Sequence, residues 1–291
     1  MISDVRRVIS KIQRSGFKAA LKSSGQVLHF NLFPTRWDFQ LIPSLLTRIL
    51  HEKGSLTVVQ VGANIGDTES DQLFKFFNQR GPGGNASTDN VRAVLIEPVR
   101  HLYQQLARNY SGFSGITCRN VAIAEKSGTK TFFRLREGID LAAHGLPAYA
   151  EQLGSFAREN LASLWAQDPQ NQKLKDFALA NIIEEQVSCL TLEQVLEEER
   201  IADIDLLQID TEGYDYEILR TIDFRKIMPR YINYERIHLG KDEARCRRLL
   251  LSKGYGLHDH GQDTFCSAHQ TLGWVQRWKH CVYNKWLETI F

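Results

Sequence analysis

The sequence predicts an α/β domain built on a mostly parallel sheet with helices on both faces, and three observations carry that prediction. Thr57–Val61, Val91–Ile96 and Ile204–Ile209 are short runs rich in β-branched residues, the composition of strands covered on both sides. Each is followed by apolar residues at helical spacing, so strand and helix alternate along the chain. Each also ends in a turn or a charge, at Gly62 to Gly66, at Glu97-Pro98 and at Asp210 to Gly213. In an open parallel sheet these strand ends share one edge, and that edge is where such sheets bind ligands.

Size and charge narrow the classes. A chain of 291 residues holds one large decorated α/β domain, or at most two domains, and buries a substantial core. A formal charge of +2 and a pI near 8.2 are too mild for nucleic acid or an anionic membrane as the main partner. The cysteines Cys118, Cys189, Cys246, Cys266 and Cys281 are scattered without a C-x-x-C pair, which argues against a disulfide framework or a zinc site. No apolar run approaches the ~20 residues that span a bilayer, and the start of the chain lacks a signal-peptide core. The expectation is a cytoplasmic protein with reduced thiols.

Taken in order, residues 1–54 form an N-terminal helical extension. Val5 to Leu21 is an amphipathic helix among Arg and Lys, suited to packing on the domain or a partner and also to touching a membrane surface. Pro34 to Leu50 is a second helix. The main domain covers 55–268. After the first strand, Leu73, Phe74, Phe76 and Phe77 mark a helix; after the second strand, helical spacing runs through Tyr110. Ile116 to Ala124 reads as the third strand and Thr129 to Leu135 as an edge strand behind the Lys126-Ser127-Gly128 turn. From Gly138 to Glu185 the pattern becomes rich in Ala, Leu and Gln, a helical insertion that is either a lid or surface decoration. Alternation resumes with a strand at Val187 to Leu190, a helix from Thr191 to Glu199, the strand ending at Ile209, and a helix through Leu219 capped by Asp210 or Thr211. Arg230 to Tyr234 is the next strand. A helix ends at Lys253-Gly254, and Tyr255–His260 with Thr264–Ala268 closes the domain as a hairpin. The tail 269–291, with Trp274, Trp278 and Trp286, suits packing on the domain or on a second copy. Sequons at Asn85 and Asn109 are read as chance.

The chemistry gathers at the strand ends. The glycine turn Gly62 to Gly66 suits an adenosyl ligand, and Glu97 is placed to accept both ribose hydroxyls. A dinucleotide fingerprint would carry a third glycine, which is missing. Asp67 and Glu69 are expected to open the following helix, where their charge repels a pyrophosphate and suits a cationic ligand such as S-adenosylmethionine, in preference to NAD. Asp210, beyond the strand that ends at Ile209, is a further site candidate, and the strand ending at Tyr234 delivers Glu235 and His238 to the same edge. His238, with an unperturbed pKa near 6.5, is the expected general base, Asp210 orients a hydroxyl or the cofactor, and Glu235 orients His238 or shares a divalent cation with Asp210. A metal is compatible with these residues and not required by them. His258 and His260 share one face of a strand and read as part of a plain edge. Asp203 and Asp205 have the D-x-D form of metal-dependent glycosyltransferases, but they stand at the start of their strand, away from Gly62 and Glu97.

The segments VQVGANIGD (59–67), IEP (96–98), NVAIA (120–124), GSF (154–156), DLLQIDTEGYDYEIL (205–219), NYERIHL (233–239) and GY followed by DTF (254–265) together resemble the FkbM family of S-adenosylmethionine-dependent methyltransferases. The resemblance implies the class I methyltransferase fold, a Rossmann-like seven-stranded sheet in the order 3-2-1-4-5-7-6 with only the seventh strand antiparallel. It implies O-methylation of a hydroxyl on a sugar, a glycan or another small natural product. By position, Gly62, Asn64, Gly66 and Asp67 would line the methionine end, Glu97 the ribose, and Asn120 to Ala122 the adenine. Gln60 departs from the acid common at that position, and Arg236 stands where related sequences often have a second His. The expected partner is a small hydroxylic acceptor and no nucleic acid; a homo-oligomer is compatible. A non-catalytic relative that binds a glycan or partner is the alternative.

Overall fold

The seven strands of the central sheet are β1 (Leu56–Val61), β2 (Val91–Ile96), β3 (Ile116–Arg119), β8 (Leu206–Ile209), β9 (Tyr231–Glu235), β10 (Tyr255–His260) and β11 (Asp263–Ala268) in a computed structural model. It describes residues 41–68, 71–78, 90–144, 148–158, 161 and 172–268. The amphipathic segment from Val5, the sequon at Asn85, Glu69 and the Trp-rich tail lie outside the described residues.

Across the sheet the strands run β3-β2-β1-β8-β9-β11-β10, which is 3-2-1-4-5-7-6 when the seven are counted along the chain, as the resemblance implies. β11 is antiparallel to both its neighbours, and the other adjacent pairs are parallel. The largely apolar strand interiors have the expected cause, since both faces are covered. On one face Val59, Val61, Val94, Ile96, Leu207 and Ile209 pack under helices α5 (Leu192–Glu198), α6 (Asp215–Thr221) and α7 (Asp242–Ser252). On the other, Val58, Ala93, Leu95 and Leu206 pack under α1 (Leu41–Lys53), α2 (Gln72–Asn78) and α3 (Arg100–Asn109). Each fully buried Leu, Ile or Phe contributes on the order of 1.5–3 kcal/mol. α1 buries Ile42, Leu46 and Ile49 in that second core, so the last helix of the expected extension is built into the domain. No helix among the described residues is long and apolar enough to cross a membrane.

Three expectations about the strands need correction. The third strand ends at Arg119, not Ala124, because the chain turns off there and Ala122–Ile123 (β4) begins a second, four-stranded sheet. Its order is β4-β7-β5-β6, with β5 at Gly128–Leu135, β6 at Gly154–Ser155 and β7 at Ile182–Leu190. The expected edge strand at Thr129–Leu135 is therefore an interior strand of a separate sheet, paired along its length with β7. β7 also starts five residues before the expected Val187, inside the supposed helical insertion. Its exposed alternating face, with Glu184 and Gln186, hides a strand from a search for contiguous apolar runs. The described remainder of the insertion holds two 3-10 turns, at Ala142–His144 and Ala148–Gln152, and helix α4 (Gln172–Ala180).

The first helix opens later than expected. α2 starts at Gln72, and its cap is Asp71, whose Oδ1 accepts from the amides of Leu73 at 2.7 Å and Phe74 at 2.9 Å. Asp67 is exposed in the turn ahead of it. Thr211 and Asp210 likewise do not cap α6, where no side-chain cap bond is made. At the start of α5, Thr191 forms a cap as a reciprocal pair with Gln194.

Candidate active site

The glycine turn after β1 is shaped by its neighbours. Gly62 has φ +81°, and a Cβ there would lie 1.7 Å from the Asp210 carbonyl oxygen. Gly66 has φ +72°, and its Cβ would lie 2.5 Å from the Tyr110 ring and 2.7 Å from Leu106. The glycine at 66 thus serves the approach of α3, and its missing side chain points into the core. Between them Asn64 is a non-glycine residue at φ +51°, held by its own contacts. Its backbone amide donates to Glu97 Oε2 at 2.9 Å, and its side-chain amide donates to Gln152 Oε1 at 3.1 Å.

Glu97, one residue past β2, is buried and ties two loops together. Besides Asn64, its Oε1 accepts from the Val99 amide at 2.8 Å. Burial raises its pKa to about 7 against the pull of those two amides. Asn120 braces this corner from β3, its side-chain amide donating to the carbonyls of Glu97 and Pro98, both at 2.9 Å. Those bonds also divert the chain from the first sheet to the second. Ala122 turns into an apolar cluster with Val99, Leu102, Phe132 and Val187, so its side chain is packing beneath the edge rather than lining for a ligand.

A second group of residues lies at the ends of β8 and β9. The Asp210 amide bonds to Val61 O at 2.9 Å, which fastens Asp210 beside the glycine turn. Asp210 is exposed at its surface, with protein packed closely around its carboxyl group. Burial, followed by the charges of Glu235, Glu212, Asp215 and Asp263, pushes its pKa well above the usual carboxylate range. Asp215, fully buried, joins the two strand ends: it accepts from the Thr211 hydroxyl at 2.6 Å, the Thr211 amide at 3.3 Å and the Glu235 amide at 3.1 Å. Its burial raises its pKa to about 7.

His238 and Glu235 do come together, with Nδ1 2.8 Å from Glu235 Oε2 and 3.0 Å from Glu212 Oε2. Burial lowers the imidazole pKa, but the two carboxylates outweigh it and raise the value to about 10. The expected neutral His238 acting as a base is corrected: at neutral pH it is an imidazolium clamped by two acids. Behind this corner Asn233 is buried in β9, donating to Gln208 Oε1 at 3.0 Å and Asp263 Oδ2 at 2.8 Å, while His260 Nε2 donates to Asn233 Oδ1 at 2.9 Å. His260 is therefore buried structure, and His258 faces solvent on the edge strand β10.

Residues of the second sheet reach the same edge. Phe156, just past β6, packs on Tyr214 with centroids 4.8 Å apart, and Lys130 Nζ lies 5.2 Å from the Phe156 ring and 5.7 Å from that of Tyr214. With the Gln152 bond to Asn64, the insertion is attached to both the glycine turn and the loop after β8. Sequence reasoning missed Gln152, Glu212 and Asp215. Glu212 and Asp215 lay inside the most distinctive motif and could have been found there; Gln152 carries no local signal. At the far end of the sheet Asp205 accepts from Lys53 at 2.9 Å and from the Thr57 amide at 2.9 Å, a structural role that occupies the second acid of the D-x-D pair.

Among solved structures the chain is similar to an O-methyltransferase from Bacillus cereus in complex with SAH, at 10% identity over 89% of this chain and 89% of that one, TM-score 0.39. It is also similar to a putative class I S-adenosylmethionine-dependent methyltransferase from Listeria monocytogenes, at 11% identity over 91% of this chain and 70% of that one, TM-score 0.39. A third is a precorrin-6y C5,15-methyltransferase from Geobacter metallireducens GS-15, at 10% identity over 82% and 92%, TM-score 0.36. A comparison with curated proteins finds no match. The methyltransferase FkbM domain matches residues 60–257, from within β1 into β10, a range that holds Gly62, Asn64, Gly66, Glu97, Asp210, Glu212, Asp215, Glu235 and His238. With the strand order, the glycine turn and the acid at the end of β2 all in place, the chain belongs to the FkbM methyltransferase family and is an S-adenosylmethionine-dependent enzyme.

Proposed function

We propose that the enzyme methylates a hydroxyl oxygen of a sugar, a glycan or another small polyhydroxylated product. The observation that carries this reading is the contact of Asp210 with the glycine turn: its backbone closes on Val61 and Gly62 while the residue stays exposed to solvent. A carboxylate there stands next to the methionine end of a cofactor lying across Gly62, Asn64, Gly66 and Asp67. Glu97 takes the ribose hydroxyls, since each of its oxygens accepts only one amide and retains acceptor capacity. Asn120 and its neighbours border the adenine. The acceptor is covered by the second sheet and the residues that follow β6, where Phe156 packs on Tyr214.

In the transfer the sulfonium S–CH3 bond breaks as the O–CH3 bond forms, and sulfur keeps the electron pair. The hydroxyl proton leaves to a base. His238 is unsuited, because its Nδ1 already carries a proton held between Glu212 and Glu235. Asp210 takes the proton, and Glu235 holds His238. The cluster of acids suits an acceptor rich in hydroxyl donors, which is why a polyol is preferred over an amine or carbon acceptor. Incubating the protein and a cell extract with S-adenosylmethionine carrying an isotopic methyl group, then identifying the labelled product, tests the reading. Label on an oxygen of a polyhydroxylated molecule supports it; label only on nitrogen, carbon or protein overturns it. Stoichiometric cofactor binding with no transfer to any fraction would leave a binding protein.

A further inference from the structure

We propose that Glu212, Glu235 and His238 form a binding site for one divalent cation at the acceptor edge. The inference rests on the reading above for its purpose, though not for its chemistry. Three separate elements deliver the donor atoms: the turn after β8, the last residue of β9 and the loop before α7. Glu212 Oε2, Glu235 Oε2 and His238 Nδ1 all fall within 4.8 Å of one another. Nδ1 is 2.8 Å from one oxygen and 3.0 Å from the other. Two donors at ~2.1 Å from one metal, on adjacent corners of an octahedron, are about 3 Å apart, and the two distances from Nδ1 match that spacing.

An ion pair alone leaves this arrangement incomplete. Glu235 Oε2 lies nearer Nδ1, at 2.8 Å, and Glu212 Oε2 is a buried carboxylate oxygen that makes no hydrogen bond of good geometry, which is unfavourable away from water. Asp215, whose Oδ1 accepts from the Glu235 amide at 3.1 Å, adds a further carboxyl group beside the same point. A divalent cation would take all three donor atoms as ligands at once, in place of the ion pair. Two carboxylate oxygens with one imidazole nitrogen favour a first-row ion such as Mn2+ over Mg2+, which prefers oxygen ligands and retained waters.

The test is a titration of the full chain with MnCl2, read by calorimetry and by the loss of the free-manganese paramagnetic signal. One saturable site per chain is expected, with weaker binding of Mg2+. Glu212→Gln and His238→Gln should each weaken manganese at least about tenfold while a thermal melt shows the fold intact. Absence of saturable binding to the parent chain, or an unchanged affinity in folded Glu212→Gln, overturns the proposal. S-adenosylhomocysteine binding measured after chelation separates the two ideas. If it persists while manganese fails to bind, the cation site alone falls; if it is lost in the parent chain, the methyltransferase site falls, and the manganese titration still decides the cation.

Discussion

The carbonyl oxygen of Asp210 occupies the space that a side chain on Gly62 would need, with 1.7 Å between that oxygen and the position of a Cβ. Neither group can yield easily, since the first is backbone fastened to β1 and the second lies at φ +81°. Gly62→Ala is expected to lower stability by at least about 2 kcal/mol through combined overpacking and backbone strain. A denaturant melt checks it. Saturating S-adenosylhomocysteine should not restore the loss, because the clash lies inside the protein.

Gly66→Ala should behave in the same way for a different reason. Its Cβ would meet the Tyr110 ring and Leu106, both in the core beneath α3, and displacing them costs about 1–3 kcal/mol. A lower melting temperature with cofactor affinity close to the parent's is the expected pair of results. A tight fold with abolished binding would instead put the ligand against that face.

Glu97 makes cofactor binding depend on pH. Its pKa in the folded protein is about 7, above the ordinary 4.5, because burial favours the protonated form. The folded state therefore holds this proton between those values, and the stability that goes with it is present at low pH and lost as pH rises through about 7, by roughly 3 kcal/mol. Ribose hydroxyls donate best to the ionised form, so S-adenosylhomocysteine affinity should rise from pH 6 to pH 8. Isothermal titration across that range should show the rise in the parent and a flat response in Glu97→Gln.

Asp210→Asn removes the proton acceptor while keeping the size of the side chain. Turnover should fall by about 10²–10⁴-fold, the usual contribution of a general base, with S-adenosylhomocysteine affinity changed little. Single-turnover rates with the identified acceptor measure the first quantity and calorimetry the second. Full activity in this variant would remove Asp210 from the chemistry.

The bond between Asn64 and Gln152 predicts a link between cofactor and insertion. Gln152→Ala leaves the Asn64 amide without that acceptor and should raise hydrogen exchange across 148–156, while weakening the cofactor by the ~1 kcal/mol typical of one hydrogen bond. Exchange measured with and without S-adenosylhomocysteine decides it. In the parent, ligand should protect this segment; in the variant the protection should shrink.

The central sheet was legible because its strands are covered twice. Val58, Val59, Val94 and Leu95 are apolar in succession, and that pattern has few other solutions in a chain of this length. The order of the strands came from the motifs that resemble a family, since periodicity does not say which strand lies beside which. The second sheet was hidden for the converse reason: β7 alternates exposed acids with half-buried Ile182 and Ile183, and its partner β5 lies about fifty residues upstream. At the site, Glu97, Asp210, Glu235 and His238 were named correctly as neighbours of one edge. The protonation of His238 could not be read, because it depends on Glu212, which reaches the imidazole from a different strand end through a turn with φ +52°.

The insertion of β11 between β9 and β10 sets the order in which the molecule can be finished. Until Asp263–Ala268 has left the ribosome, Tyr231–Glu235 is a bare margin with its outer hydrogen bonds unmade. Glu235 and His238 are synthesised before that strand exists, yet Asn233 waits for Asp263 and His260 to complete its bonds. A growing chain therefore carries its glycine turn and Glu97 long before its acid corner is complete. Any truncation upstream of residue 263 leaves a protein that retains the cofactor loops, lacks an ordered acceptor edge and presents an open strand to other chains.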